Sequence, residues 1–259
     1  MGFLKIDETK IFYREVGQGD ITLFFVHGNS SSSNSFIKQF ESKLADRFRL
    51  IAIDLPGHGN SDPLSQYSVS KLTDCIAGCF KALNLSSRSV IGVGHSFGGH
   101  LLLEASPQLG HLRSMVIWGT PPLGNPARPD IAFQPNPNVQ YFFMGELSDL
   151  QIESAALELF AEGTPLSRAA CEEMRNTDPK FRPGIGQSLQ TGDFLDELKI
   201  VAELPYPLVI FHGKKDKLVN GEYFQEFQIS AKVQIFEHSG HCPHIEESEK
   251  FNTLLMQLG

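Results

Sequence analysis

Apolar residues in this chain gather into short continuous runs separated by stretches of helical period. Ile21–Val26 is one such run, and residues 49–54, 88–93, 114–119 and 207–212 repeat it. Runs of this length, rich in Val, Ile, Leu and Phe, predict strands covered on both faces. Residues 3–7 and 10–16 instead alternate and predict an N-terminal hairpin. Residues 36–45, 69–83, a segment opening at His100, 219–227 and 245–258 predict helices, with one more strand at 232–237. Strands alternating with helices imply a parallel sheet with helices on both faces, an α/β fold. The rhythm breaks where Pro121, Pro122, Pro126, Pro129, Pro135 and Pro137 crowd together, because proline excludes a continuous helix or a central strand. Helical segments at 147–162, 167–177 and 193–199 follow, with no buried strand until 207. Residues 1–120 and 205–259 therefore read as the core, and 121–204 as an insertion over the carboxyl edge of the sheet.

Composition narrows this picture without choosing a substrate. The chain has 259 residues, 41% hydrophobic and 20% charged, enough for one large globular core. A net charge of −8 argues against nucleic acid or an anionic membrane as partner. The expected partner is a small molecule, and the expected state a monomer or homodimer. No apolar run reaches a membrane span, and the N-terminus lacks the basic and apolar regions of a secretory signal, so the expected compartment is cytoplasmic. Cys75, Cys79, Cys171 and Cys242 match no zinc spacing and read as reduced, partly buried thiols.

The chemistry centres on Gly94-His95-Ser96-Phe97-Gly98. A Gly-x-Ser-x-Gly pentapeptide between a buried strand and a helix predicts a nucleophile elbow. The turn is so tight that side chains two positions either side of the serine would meet backbone. Its product is a hydroxyl held above the sheet edge at the positive end of a helix, which makes Ser96 the candidate covalent nucleophile. A serine nucleophile needs a base, and the base needs a group that fixes its tautomer. Asp216 follows the run 207–212 and His241 follows the strand 232–237. Both thus fall at the same sheet edge as Ser96, in the order serine, acid, histidine. The oxyanion hole would use the backbone N–H groups of Phe97 and of Asn29, in the loop after Ile21–Val26. The Asn29 side chain is also expected within reach of substrate, and His27 is expected to brace that loop. His238, His241 and His244 have a spacing that suggests metal, but Pro243 interrupts helical presentation, and no metal or other cofactor is expected. His244 is expected early in the last helix. Phe133, Phe142, Phe143 and Met144, with Leu147 and Phe160, either line an acyl pocket or form the insertion's own core.

With those residues in hand, the chain resembles the α/β-hydrolase superfamily. The likeness rests on His27-Gly28-Asn29, on the stretch from Asp54 to Asp62, on Gly94-His95-Ser96-Phe97-Gly98-Gly99, on Gly213-Lys214-Lys215-Asp216, and on Gly240-His241 with Glu246 behind. It implies an eight-stranded, mostly parallel sheet, a mobile cap at 121–204, no cofactor, and a structural role for His58. The nucleophile position carries serine, unlike the aspartate of haloalkane dehalogenases and epoxide hydrolases. The loop after Gly28 lacks the Gly-Pro-Gly run of carbon–carbon bond hydrolases. His27-Gly28-Asn29-Ser30-Ser31-Ser32 and Gly119-Thr120-Pro121-Pro122 are similar to the metal-independent N-acyl homoserine lactonases of this fold. The resemblance implies ester or lactone hydrolysis through an acyl-enzyme. A small-molecule sensor that keeps the triad, or a cofactor-free oxygenase, would use the same residues.

Overall fold

The computed structural model describes residues 1–227 and 231–259. Among them eight strands form one sheet: β1 (Gly2–Ile6), β2 (Thr9–Val16), β3 (Ile21–Val26), β4 (Arg49–Ile53), β5 (Ser89–His95), β6 (Ser114–Trp118), β7 (Leu208–Gly213) and β8 (Ala231–Phe236). Their order is β1-β2-β4-β3-β5-β6-β7-β8. β2 runs antiparallel to β1 and β4, and every pairing from β4 to β8 is parallel.

The continuous apolar runs divide between two cores with a period of two, because successive side chains leave a strand on opposite faces. Phe24 and Val26, Ile51 and Ile53, and Ile117 and Ile210 face one side. Leu23 and Phe25, Leu50 and Ala52, and Val116 and Phe211 face the other.

The helices are α1 (Ile37–Phe40), α2 (Leu44–Arg47), α3 (Val69–Ala82), α4 (Phe97–Leu109), α5 (Pro129–Ala132), α6 (Asp149–Glu158), α7 (Arg168–Asn176), α8 (Phe181–Gln190), α9 (Glu197–Glu203), α10 (Pro243–Glu246) and α11 (Ser248–Met256). α3 and α4 cover the first face through Leu72, Ile76, Leu101 and Leu102. α11 covers the second through Phe251 and Leu255. Between β6 and β7 the chain is helical, and α6 and α7 share a small core of their own built on Phe142, Ile152, Ala155 and Met174. No helix among the described residues is long and apolar enough to cross a membrane.

Several expected elements differ. The single helix at 36–45 is a 3-10 turn over Ser33–Phe36 followed by α1 and α2. Ser42 breaks it: its hydroxyl donates to the Gln39 carbonyl (2.8 Å) and accepts the Leu44 N–H (3.2 Å), competing with the helical ladder. The final helix is likewise split at Glu247, whose carboxylate is drawn off to the His238 N–H and the Ser239 hydroxyl. His244 therefore lies in the short α10 and not in the last helix. The segment 219–227 is a 3-10 helix over Gly221–Phe227. α8 was not expected, because Pro183, Gly184 and Gly186 disguise it; Pro183 sits in the first turn, where a missing N–H costs no intrahelical bond. The helix expected at 193–199 begins later, at Glu197, where the Asp196 side chain accepts the Lys199 N–H.

Candidate active site

Ser96 caps α4 with φ 51° and ψ −123°, a left-handed conformation that a side-chain-bearing residue rarely adopts. The surroundings impose it. The Ser96 N–H donates to the Trp118 carbonyl (2.7 Å), and the Thr120 hydroxyl lies 2.8 Å from the Ser96 carbonyl. A Cβ on Gly98 would fall 2.4 Å from the carbonyl oxygens of His27 and Val26, and one on Gly94 would fall 2.6 Å from the Gly99 Cα. The two flanking glycines are thus required by backbone on both sides of the turn. Ser96 is half-buried, and its hydroxyl makes no hydrogen bond among the described residues, to His241 or to any other group.

His241 and Asp216 come together behind it. His241 Nδ1–H donates to Asp216 Oδ2 over 2.8 Å, with both side chains nearly sealed from solvent. The other carboxylate oxygen accepts the N–H groups of Leu218 (2.8 Å) and Val219 (3.1 Å). Burial alone would raise the Asp216 carboxyl; the adjacent imidazole and the Leu218 N–H outweigh it and hold the group below its ordinary 3.8. With its hydrogen committed at Nδ1, the neutral His241 ring keeps a lone pair at Nε2. Gly119 leaves room for the ring, since a Cβ there would stand 2.5 Å from His241 Cε1. Glu246 fixes the preceding turn by accepting the Gly240 and Ala161 N–H groups, each at 2.8 Å.

Ser96, His241, Asn29 and Phe97 all open into one cavity of about 980 Å³. Phe97 is the first residue of α4, where the backbone N–H has no intrahelical acceptor. The Asn29 side chain, expected near substrate, is engaged elsewhere: its amide donates to the Phe142 carbonyl (2.8 Å) and its oxygen accepts the Ser30 hydroxyl (2.7 Å). It thereby ties the β3 loop to the segment between β6 and β7. Arg182 makes a second tie, donating to the Ser30 hydroxyl (3.0 Å) and to the Met144 and Gly145 carbonyls (2.7 Å each). His27 and His58 brace the same loop. His27 accepts the Leu55 N–H (2.9 Å), and His58 accepts the Ser30 N–H (3.2 Å).

Phe133, Phe142, Phe143 and Phe160 line the cavity, while Phe142 also belongs to the core of the insertion. Met144 lies outside that lining. It follows the 3-10 turn Pro137–Phe143 in extended backbone, with its carbonyl drawn to Arg182. Sequence reasoning missed Thr120 and the buried imidazoles of His95 and His244, which pack on Trp118. It also missed His100 and Glu104, which follow Ser96 at helical spacing and line the cavity.

His95, Cys242 and His244 offer ligand atoms within 4.8 Å of one another. Hydrogen-bond bookkeeping weighs against a metal there. Trp118 Nε1–H donates to His244 Nδ1 (3.1 Å), so the hydrogen of that neutral ring sits at Nε2 and leaves no lone pair to give. Of the histidines whose spacing suggested metal, His238 is exposed and His241 is held by Asp216.

The buried histidines set a pH dependence. Burial lowers His27, His58, His95, His212 and His244, the last to about 3. Each binds a proton less readily in the folded chain than in the unfolded one, which takes up protons at these sites once the pH drops below 6.5. Stability from these groups is therefore complete above 6.5 and is lost as pH falls toward the folded values. Glu104, raised by burial and by Glu197 to about 8, and Glu246, raised by burial, act oppositely. The histidines outnumber them, so the melting temperature should fall as pH is lowered from 6.5 to about 5. Scanning calorimetry over that range checks this; a flat profile would contradict it.

A family model described as "Alpha/beta hydrolase family" matches residues 23–254. The chain belongs to the alpha/beta hydrolase family. Among curated relatives, this hydrolase is similar to the pimeloyl-(acyl-carrier protein) methyl ester esterase of Methylococcus capsulatus, 28% identical over 223 residues, covering 82% of this chain and 84% of that protein. It is also similar to non-heme chloroperoxidase CPO-A1 of Kitasatospora aureofaciens, 26% identical and covering 97% and 96%. Among solved structures, the N-acyl homoserine lactonase AidH, in complex with N-hexanoyl homoserine lactone, superposes with a TM-score of 0.88. It is 25% identical and covers 99% of this hydrolase and 96% of AidH.

Proposed function

We propose that this protein is a serine hydrolase that cleaves carboxylic esters or lactones through an acyl-enzyme, with an N-acyl homoserine lactone as the favoured substrate class. The observation that carries the reading is that His241, buried and paired with Asp216, lines the same apolar cavity as a serine on a strained turn.

In the first half-reaction Ser96 Oγ attacks the substrate carbonyl and His241 Nε2 takes its proton. Asp216 holds the ring and stabilises the imidazolium. The N–H groups of Asn29 and Phe97 receive the oxyanion. His241 returns the proton to the leaving oxygen as the carbon–oxygen bond breaks. In a lactone that oxygen is the ring oxygen, so one product carries both a carboxyl and a hydroxyl once water has attacked the acyl-enzyme with His241 as base. Residues 121–204 act as a cap, with Phe133, Phe142 and Phe143 supplying apolar surface for an acyl tail. The likeness to AidH over nearly the whole length of both chains favours the lactone over a simple ester.

Para-nitrophenyl esters and N-acyl homoserine lactones of graded chain length, assayed side by side, test this. Lactone opening to N-acyl homoserine at a kcat/KM above that of the matched ester supports the lactone reading. Ester turnover with intact lactones restricts the reading to an esterase, and no turnover of either removes it.

A further inference from the structure

His100 and Glu104 lie four residues apart on one face of α4 and line the same cavity as Ser96, which caps that helix. At 1.5 Å per residue, Glu104 stands about 12 Å along the axis from Ser96. The same cavity is also lined by Val69, Leu123, Ile185, Leu189 and Phe194. The part of this cavity along α4, the arm, thus combines apolar lining with a polar end formed by His100, Glu104 and Glu197.

At that end Glu197 is fully engaged. His100 lies 2.9 Å from both of its oxygens, and the Leu123 N–H donates to it over 2.7 Å. Glu104 is not. It is 5% exposed, and no side chain among the described residues hydrogen-bonds or ion-pairs with it; it accepts the Leu195 backbone N–H alone. The neighbouring charges, Glu197 and Asp193, are also negative. Lys38, the lysine that lines the cavity, donates to the Ile245 carbonyl. A buried carboxyl without a counter-charge is costly, and its carboxyl is accordingly pushed up to about 8.

We propose that the arm along α4 is a subsite for a primary ammonium group at the far end of an acyl chain, received by Glu104. The occupant supplies the positive charge that the protein withholds, while its methylenes fill the apolar walls. The inference rests on the hydrolase reading and gives an ammonium-ended acyl chain its own course from Ser96, separate from the surface of Phe133, Phe142 and Phe143, but its test requires no turnover.

Titration calorimetry would compare omega-aminooctanamide with octanamide. The chain of the first spans the arm; that of omega-aminobutanamide does not. The amine should bind at least about tenfold more tightly than octanamide, with the preference lost for the four-carbon pair. Glu104→Gln, with its melting temperature checked, should cut the preference to below about twofold. Octanamide binding as tightly as its amine would overturn the proposal, as would a preference that survives Glu104→Gln or that is independent of chain length. If Ser96-dependent turnover fails while the amine preference stands, the fault lies with the hydrolytic reading and not with the subsite.

Discussion

Ser96→Ala should reduce turnover of para-nitrophenyl esters by at least about 10⁴-fold, because the hydroxyl is the only atom removed and it is the atom asked to form the covalent bond. The same change should leave the fold almost untouched. The Ser96 hydroxyl has no partner among the described residues, and the bonds that hold the turn use its backbone N–H and carbonyl, which alanine keeps. Alanine also keeps the Cβ, so the cost of the left-handed conformation neither grows nor vanishes. A melting temperature within roughly 2 °C of the wild type is expected. Activity that survives the substitution would require another nucleophile, and a collapsed melting temperature would make the kinetic loss uninformative.

Asp216→Asn should cost about 10⁴ in kcat for a different reason. The carboxylate accepts three hydrogens, from His241 Nδ1 and from the N–H groups of Leu218 and Val219. An amide of the same shape has one accepting oxygen. If that oxygen keeps the two backbone N–H groups, its NH₂ faces His241 and the ring must present a lone pair at Nδ1. The ring hydrogen then moves to Nε2, and the base is lost toward the serine. If the amide is reversed, two buried N–H groups meet an NH₂. Either arrangement leaves something unsatisfied, so a moderate loss of stability of about 1–3 kcal/mol accompanies the kinetic loss. Steady-state kinetics with the para-nitrophenyl esters, set beside thermal melts, reads both. A kcat within tenfold of the wild type would remove Asp216 from its assigned position.

The parts of the fold legible in the sequence are those whose cause is local. β3 was bounded correctly because every side chain of Leu23–Val26 is buried, and a strand buried on both faces leaves an unbroken apolar run. The elbow was legible because its glycines answer to backbone atoms a few ångströms away. Most of what escaped depends on partners distant in sequence; Ser42 is a local exception, a side-chain competition that the apolar pattern does not record. Ser42 ends α1 through bonds to Gln39 and Leu44 that compete with a helix otherwise well patterned. Met144 belongs to an aromatic-rich stretch, yet it lies outside the cavity lining, with its carbonyl bonded to Arg182, 38 residues later. The Asn29 amide is taken by a carbonyl 113 residues away. Glu104 is buried beside α9, which packs against α4, a contact that the local pattern does not record. Its spacing from Ser96 was the available signal.

The central claim is that Ser96 is the nucleophile, activated by the His241–Asp216 pair. A fluorophosphonate probe, which forms a stable bond with an activated serine, tests it most directly when followed by peptide mass spectrometry. The account predicts one label per chain, located at Ser96, rising in step with loss of esterase activity, absent in Ser96→Ala and strongly slowed in Asp216→Asn. Full loss of activity with the label on another residue, or full activity with Ser96 completely labelled, would contradict it.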